Sequence, residues 1–324
     1  MKIADDQLRI AVVCGGPSAE AEVSRVSGRG VAKALTATFP NVLVLELDDT
    51  IGESLRAQKI GVVFPALHGP PGEDGTFQGF LEIVKIPYVG SGVRASMAAM
   101  DKAVARMMFR SAGLPIAEGL VAEKRLGAST EAKRIVDKLG VDLVVKPTSQ
   151  GSALGISFVR DAQSLTEALE KAFVFGDTAL VERRVVGREI TVGILERDGV
   201  EALPVIEITT PKDSWYDYQH RYTPGLSEHL IPARLPKDQY RRTQEIAKLA
   251  HTTLGCRDLS RVDFVVPDHG EPILLEVNTL PGMTPTSLYP DAAKAVGMSF
   301  ELLVAHLVRS AVARTIAHRD GVKE

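Results

Sequence analysis

The chain is short of cysteine, of net charge and of long apolar runs: 324 residues carry two cysteines and a formal charge of −3. Each shortage closes off a class of function. Cys14 and Cys256 lie in an apolar strand-like run and a short turn, without metal-ligand or redox spacing, so both read as reduced thiols. The near-neutral charge offers no basic footprint for a phosphate backbone, which argues against a nucleic-acid partner. The N-terminal MKIADDQLRIAVVCGG holds an apolar run too short, and too soon broken by glycines, for a signal peptide or membrane span. A cytoplasmic protein without a membrane partner is therefore expected. Neither GxxxxGK[ST] nor GxGxxG occurs, and there is no internal repeat or low-complexity tract.

What is present is an ordinary globular balance, 24% charged and 45% hydrophobic, on a chain long enough for two or three packed domains. Strand-like runs at Ile10 to Val13, Val42 to Leu47 and Val62 to Ala66 alternate with helical segments such as Ser24 to Leu35. That is the βαβ pattern of a parallel sheet, and it predicts an α/β layer over residues 1–98. A helical stretch from Met97 to Ser111, a charged helix near Thr130 to Leu139 and the β run VDLVVKP make a middle piece, 99–183. The remainder, 184–324, is read as a strand, an irregular segment around Asp213 to Leu230, then two strands and a helix.

The densest chemistry lies in RVDFVVPDHGEPILLEVN, residues 261–278, where two β-like runs flank the turn signal Pro267-Asp268-His269-Gly270. A turn centred between His269 and Gly270 sets Asp263 opposite Glu276 and Arg261 opposite Asn278, unless a bulge shifts the register. Alternation then puts these four on one face, with Val262, Phe264, Ile273, Leu275 and Val277 on the other. Facing carboxylates repel and need a compensating cation. Arg261 can supply part of that charge, while two carboxylates and an amide oxygen form the oxygen set that suits Mg²⁺. A solvated face of ordinary charges fits poorly, because apart from Val265 and Leu274 the polar face holds only ligand-type or cationic residues.

Three further segments carry weaker signals. VDLVVKPTSQGSALGISFV places Lys146 at a strand end before a loop with Gly151, Ser152 and Gly155, which suits a phosphate but is equally an ordinary glycine hairpin. In VVCGGPSAEAEVS, Ser18 is the expected N-cap with Glu20 and Glu22 in the first turn. Both glutamates have an innocent role beside the helix dipole, and one could instead bind an ammonium at the sheet mouth; the residues leave both accounts open. ALHGPPGEDGTFQG contains His68, and a lone histidine is more often structural than catalytic.

In order along the chain, GGPSAEAEVS, ALHGPPGEDGTFQG, the MDK at 100–102, VKPTSQGSALG, YDYQHRY, SRVDF and LLEVNTLPGMTPTSL resemble the motifs of the D-alanine:D-alanine ligase family, within the ATP-grasp superfamily. Each motif is weak alone; their shared order is specific. The resemblance implies a three-domain α/β architecture with ATP held between the central and C-terminal domains. It implies that Lys102, Lys146, Ser152, Glu182, Val185, Glu189 and Arg221 bind ATP, and that Asp263, Glu276 and Asn278 hold two Mg²⁺, for which Mn²⁺ can substitute. Glu20 matches the residue that binds the ammonium of the first D-alanine, and Ser152 and Tyr222 its hydrogen-bonded partners. Arg261 and the backbone at Gly282 match the groups that steady the tetrahedral intermediate. Val23, His68, Ser287 and Leu288 match positions at the D-alanine sites, although Ser287 reads equally well as a helix cap. A homodimer is also implied.

Two positions depart from the family pattern. Ala153 stands where many members have a second serine, and Arg221 replaces the lysine before Tyr222, exchanging a point charge for a planar fork. The implied reaction phosphorylates the carboxylate of one D-alanine, and the amine of a second attacks the acyl phosphate, under a lid formed by the segment from Asp213 to Leu230. The alternatives are a relative that takes D-lactate or D-serine as second substrate, against which Tyr222 argues, and an ATP-binding sensor without turnover, against which the full metal set argues.

Overall fold

The structure is a computed structural model that describes residues 5–151, 153–211, 225–284 and 287–321. Three sheets organise it. The first is wholly parallel, in the order β2-β1-β3, from β1 (Arg9–Cys14), β2 (Asn41–Glu46) and β3 (Val62–Pro65). β1 and β3 are nearly continuous apolar runs because helices or chain cover both their faces. α1 (Ala21–Leu35) lies close on β1 because Gly28 faces it: a Cβ there would come within 2.6 Å of Cys14 Cβ. The helix takes in three residues before the expected Ser24, yet starts beyond the point that a Ser18 cap would set. Glu20, not Ser18, is its N-cap, and Ser18 Oγ instead accepts the Glu20 N–H at 3.0 Å. α2 (Ile51–Ala57) and α3 (Thr76–Val84) complete this layer.

The expected helix from Met97 to Ser111 is two helices, α4 (Val93–Met100) and α5 (Lys102–Ser111). Asp101 breaks them: it is extended, and its carboxylate caps α5 by accepting the Ala103 and Val104 N–H groups. Next comes a four-stranded antiparallel sheet ordered β4-β7-β5-β6, from β4 (Gly119–Glu123), β5 (Leu143–Pro147), β6 (Ser157–Val159) and β7 (Thr178–Arg183). α6 (Ala128–Leu139) and α7 (Ala162–Ala172) pack on one face of it.

The third sheet runs β11-β10-β8-β12-β13, with β9 beside β8. Its strands are β8 (Arg188–Glu196), β9 (Val200–Ala202), β10 (Ile206–Thr209), β11 (Glu228–Leu230), β12 (Leu259–Val266) and β13 (Ile273–Asn278). The 18-residue α8 (Lys237–Leu254), which the sequence pattern does not predict, also belongs here. The chain ends in two helices rather than one, α9 (Leu288–Ala295) and α10 (Phe300–Gly321). Leu303, Leu307 and Val308 of α10 return to the core of the first sheet, against Ile10, Val31 and Val62.

Among the described residues no single helix is long and apolar enough to cross a membrane. Leu288–Ala295 and Phe300–Thr315 pass that test only as a pair bent by 101°. Ser152, Arg221 and Tyr222, and the expected lid from Asp213 up to residue 224, lie outside the described residues.

Candidate active site

The hairpin of β12 and β13 pairs Asp263 with Glu276 and Arg261 with Asn278, as the sequence predicts. The route to that register differs. Near the turn, Val265 faces Ile273 and Phe264 faces Leu274, so the loop centres on His269, and a bulge after Asp263 restores the pairing at the carboxylates. The bulge also corrects the expected faces: Leu274 is 1% exposed in the core, while Leu275 lines a cavity.

Each of the two carboxylates meets a cation. Arg261 donates to Asp263 through Nε (2.9 Å) and a terminal nitrogen (2.8 Å), a planar fork against a carboxylate. Thr191 Oγ1 adds a bond of 2.6 Å from the neighbouring strand β8. Glu276 meets Lys102 Nζ at 3.3 Å, and that ammonium also donates to Gln150 O at 2.7 Å. Asn278 Oδ1 accepts the Leu280 N–H at 2.9 Å. Among the described residues no three His, Cys, Asp or Glu side chains gather as a metal cluster, so the donor set is two carboxylates and one amide.

A cavity enclosing about 920 Å³, counting its open mouth, separates the second and third sheets. Period-2 alternation on β5 sends Leu143 and Val145 into the core while Val144 and Lys146 reach this cavity. Val144 pairs laterally with Phe158 of β6 and Glu182 of β7, giving one wall. Ile190, Phe264, Val265 and Leu275 of the third sheet line it as well, with Val185 and Glu189. Glu182 is nearly buried between two cations, accepting from Lys146 Nζ at 2.7 Å and from Arg106 at 2.7 Å. Arg106 gave no sequence signal, since an arginine on an amphipathic helix normally reads as solvated; burial pushes its pKa down and Glu182 opposes that.

A second cavity of about 640 Å³ adjoins the first, and Lys102 and Glu276 line both. Its other walls include Glu20, His68, Glu73, Gly151, Arg261, Asn278 and Gly282. Glu20 is 5% exposed and points inward: a Cβ on Gly69 would lie 3.3 Å from its Oε2, and one on Gly151 3.4 Å away. His68 bonds through Nε2 to Ser27 Oγ at 3.2 Å, and burial, opposed by the charge of Glu20 and helped by Arg261, holds its pKa below the usual value. Burial raises the Glu73 carboxyl to about 8.

Comparison with known proteins places this arrangement. The family model for the C-terminus of D-Ala-D-Ala ligase matches residues 108–309, and the model for its N-terminus matches residues 45–91. The chain belongs to the D-alanine–D-alanine ligase family. A D-alanine–D-alanine ligase of Desulforamulus reducens is 45% identical over 310 residues, spanning 94% of this chain and 99% of the relative. One from Halalkalibacterium halodurans is 45% identical over 300 residues, 92% and 97% of the two chains. Among solved structures, the Bacillus anthracis ligase complexed with ATP superposes with a TM-score of 0.82 at 30% identity, covering 96% of this chain and 99% of that one. The Coxiella burnetii ligase gives 0.83 at 26% identity, covering 99% and 98%.

In this ligase the fold gathers most of the residues singled out by the sequence. Lys102, Lys146, Glu182, Val185, Glu189, Asp263 and Glu276 line the first cavity, and Glu20, His68, Arg261, Asn278 and Gly282 the second. Val23, Ser287 and Leu288 line neither. Leu288 is 5% exposed within the hydrophobic core. Ser287 occupies the N-cap position of α9, but its side chain caps nothing; Oγ accepts the Thr284 N–H at 3.0 Å and bonds Thr284 Oγ1 at 2.8 Å. The sequence reading missed Arg106, Phe158, Gln150 and Glu73 as cavity or supporting residues.

Proposed function

We propose that this ligase joins two molecules of D-alanine through an acyl-phosphate intermediate at the expense of ATP, making the dipeptide for peptidoglycan precursors. The observation that carries this reading is that Lys102 and Glu276 belong to both cavities, so a nucleotide's terminal phosphate in one meets a carboxylate in the other. The larger cavity suits a nucleotide in size and in its apolar walls, with Lys146 and Lys102 for the phosphates and Glu182, Val185 and Glu189 toward base and ribose. Ser152 and Arg221 complete that assignment. The reading keeps three domains, 1–98, 99–183 and 184–324, and a cytoplasmic homodimer that binds neither nucleic acid nor membrane.

The donor set fits Mg²⁺. Two carboxylates and one amide oxygen, at the border of the two cavities, are too few to cage an ion but enough for a metal that draws its other ligands from phosphate and water. Asp263, Glu276 and Asn278 would hold it, and when bound it would offset charge on the transferring phosphoryl group.

The residues of the chain divide the remaining tasks. Glu20 binds the ammonium of the first D-alanine, aided by Ser152 and Tyr222, and so directs its carboxylate toward Lys102. Lys102 and Lys146 offset phosphate charge as that carboxylate is phosphorylated. When the second D-alanine's amine adds, Arg261 and the Gly282 N–H steady the oxyanion, and Asp263 holds the Arg261 fork in place. His68 shapes the amino-acid site directly, while Ser287 and Leu288 act from behind it through the chain that carries Gly282.

The test is phosphate release coupled to a readout of ADP, with ATP, Mg²⁺ and each D- and L-amino acid in turn. Release with D-alanine, together with D-alanyl-D-alanine as product, is expected; silence with D-alanine would overturn the reading.

A further inference from the structure

A ligation between two amino acids has a proton problem that the assignments above leave open. Both arrive as zwitterions. One ammonium can stay charged, but the attacking one must lose a proton before its nitrogen has a lone pair to offer. The amino-acid cavity contains a carboxyl group without an assigned task. Glu73 is 9% exposed, lines that cavity, and accepts a 2.6 Å hydrogen bond from the Gly69 N–H through Oε2. Among the described residues that is its only hydrogen-bond donor, although a carboxylate accepts several. A buried carboxyl satisfied once, on the wall of a cavity, faces its remaining partner there.

Its position is set by the turn around it. Glu73 N–H and Gly72 N–H both bond Gly69 O, at 3.2 and 2.9 Å, and Gln78 Nε2 holds Gly72 O at 2.7 Å. Gly69 also abuts Glu20, so the two carboxyl groups converge on one residue.

We infer that Glu73 is a further catalytic residue, the proton acceptor for the ammonium of the second D-alanine. This rests on the ligase reading and deepens it. One N–H bond of the ammonium breaks and its proton goes to a Glu73 carboxylate oxygen. The freed lone pair forms the C–N bond at the acyl phosphate. The C–O bond to phosphate then breaks, phosphate leaves with that electron pair, and the second proton lost from nitrogen goes to it.

The surroundings suit the role. Burial raises Glu73 to about 8, Glu20 and Glu276 push the same way, and Arg261 and the Gly69 N–H oppose them. An acceptor that titrates near the working pH can take a proton and give it back.

The experiment compares Glu73→Gln with the parent chain using two nucleophiles, in the presence of ATP, Mg²⁺ and D-alanine. A second molecule of D-alanine must be deprotonated; hydroxylamine is an uncharged amine at neutral pH and traps the acyl phosphate as a hydroxamate. Dipeptide formation by Glu73→Gln is expected to fall by about 10²-fold or more. Hydroxamate formation and the KM for ATP are expected to stay near the parent values, and Glu73→Asp to recover part of the dipeptide rate. Equal loss with both nucleophiles, or a parental dipeptide rate in Glu73→Gln, would overturn the inference. Failure of the parent chain to form either product from D-alanine would instead sink the ligase reading itself.

Discussion

Asp263 and Glu276 face each other directly across the β12–β13 ladder, yet they are neutralised by different cations from different parts of the chain. Arg261, two residues away on the same strand, forks onto Asp263, whereas Lys102 reaches Glu276 from the start of α5. Each of the opposed carboxylates thereby has a cation of its own, and substitutions should distinguish them.

Glu276→Gln should lower turnover by about 10²-fold or more, the scale of losing one electrostatic contact in a transition state. Because Glu276 is 29% exposed and Lys102 retains Gln150 O, thermal stability should hardly change. Asp263→Asn should lose turnover and also about 3 kcal/mol of stability, since it removes the carboxylate that a guanidinium only 8% exposed forks onto. Melting curves beside phosphate-release rates make the comparison; equal stability of the two variants would contradict the division.

The bulge gives adjacent leucines opposite duties. Leu274→Ala opens a hole in the core and should cost roughly 2–5 kcal/mol. Leu275→Ala removes cavity wall instead, and should raise the KM for ATP with a much smaller loss of stability. If denaturant titrations found the costs reversed, the register beyond Asp263 would be wrong.

Gly69 has a φ of +70°, and a Cβ there would come within 2.7 Å of Ser18 Oγ. Gly69→Ala should therefore cost about 1 kcal/mol in backbone strain alone. It should also displace Glu20 and Glu73 together, raising the KM for D-alanine while the KM for ATP holds. Steady-state kinetics with each substrate varied would check this, and an unchanged D-alanine KM would refute it.

The raised pKa of Glu73 has a stability consequence with a definite sign. Between the ordinary value of 4.5 and about 8 the folded state keeps a proton that the unfolded chain has released. Stability contributed by this residue therefore falls as pH rises through that window and levels off above it. Glu73→Gln removes the titration, so its stability relative to the parent should improve from about pH 5 to about pH 8. Urea midpoints across that range test it; parallel curves for the two chains would show that Glu73 is not raised.

The hairpin was legible because alternation and a turn signal confine two short strands to few registers, and the carboxylate pair is local enough to follow from them. Even there, the bulge exchanged Leu274 and Leu275, since one inserted residue reverses every side chain on its far side. The helix Lys237–Leu254 escaped notice because its exposed face carries most of its residues, and only Ile246, Ala247, Ala250 and Leu254 mark an apolar stripe. Arg106 and Glu73 were illegible for a different reason. Their meaning lies in burial beside a residue 76 positions away for Arg106, and within a cavity whose other walls come from distant loops, helices and the β12–β13 hairpin for Glu73.

The amino-acid order by itself determined the parallel layer at the start, the facing carboxylates of the hairpin and the ordered motifs of the family, because these depend on periodicity and spacing within short stretches. Only the tertiary structure decided that Lys102 would answer Glu276, that Glu182 would sit between Lys146 and Arg106, and that two cavities would share a border. Those facts depend on which distant segments are brought within hydrogen-bond range and dried by packing. No pattern along the chain encodes the dielectric that a carboxyl group will meet.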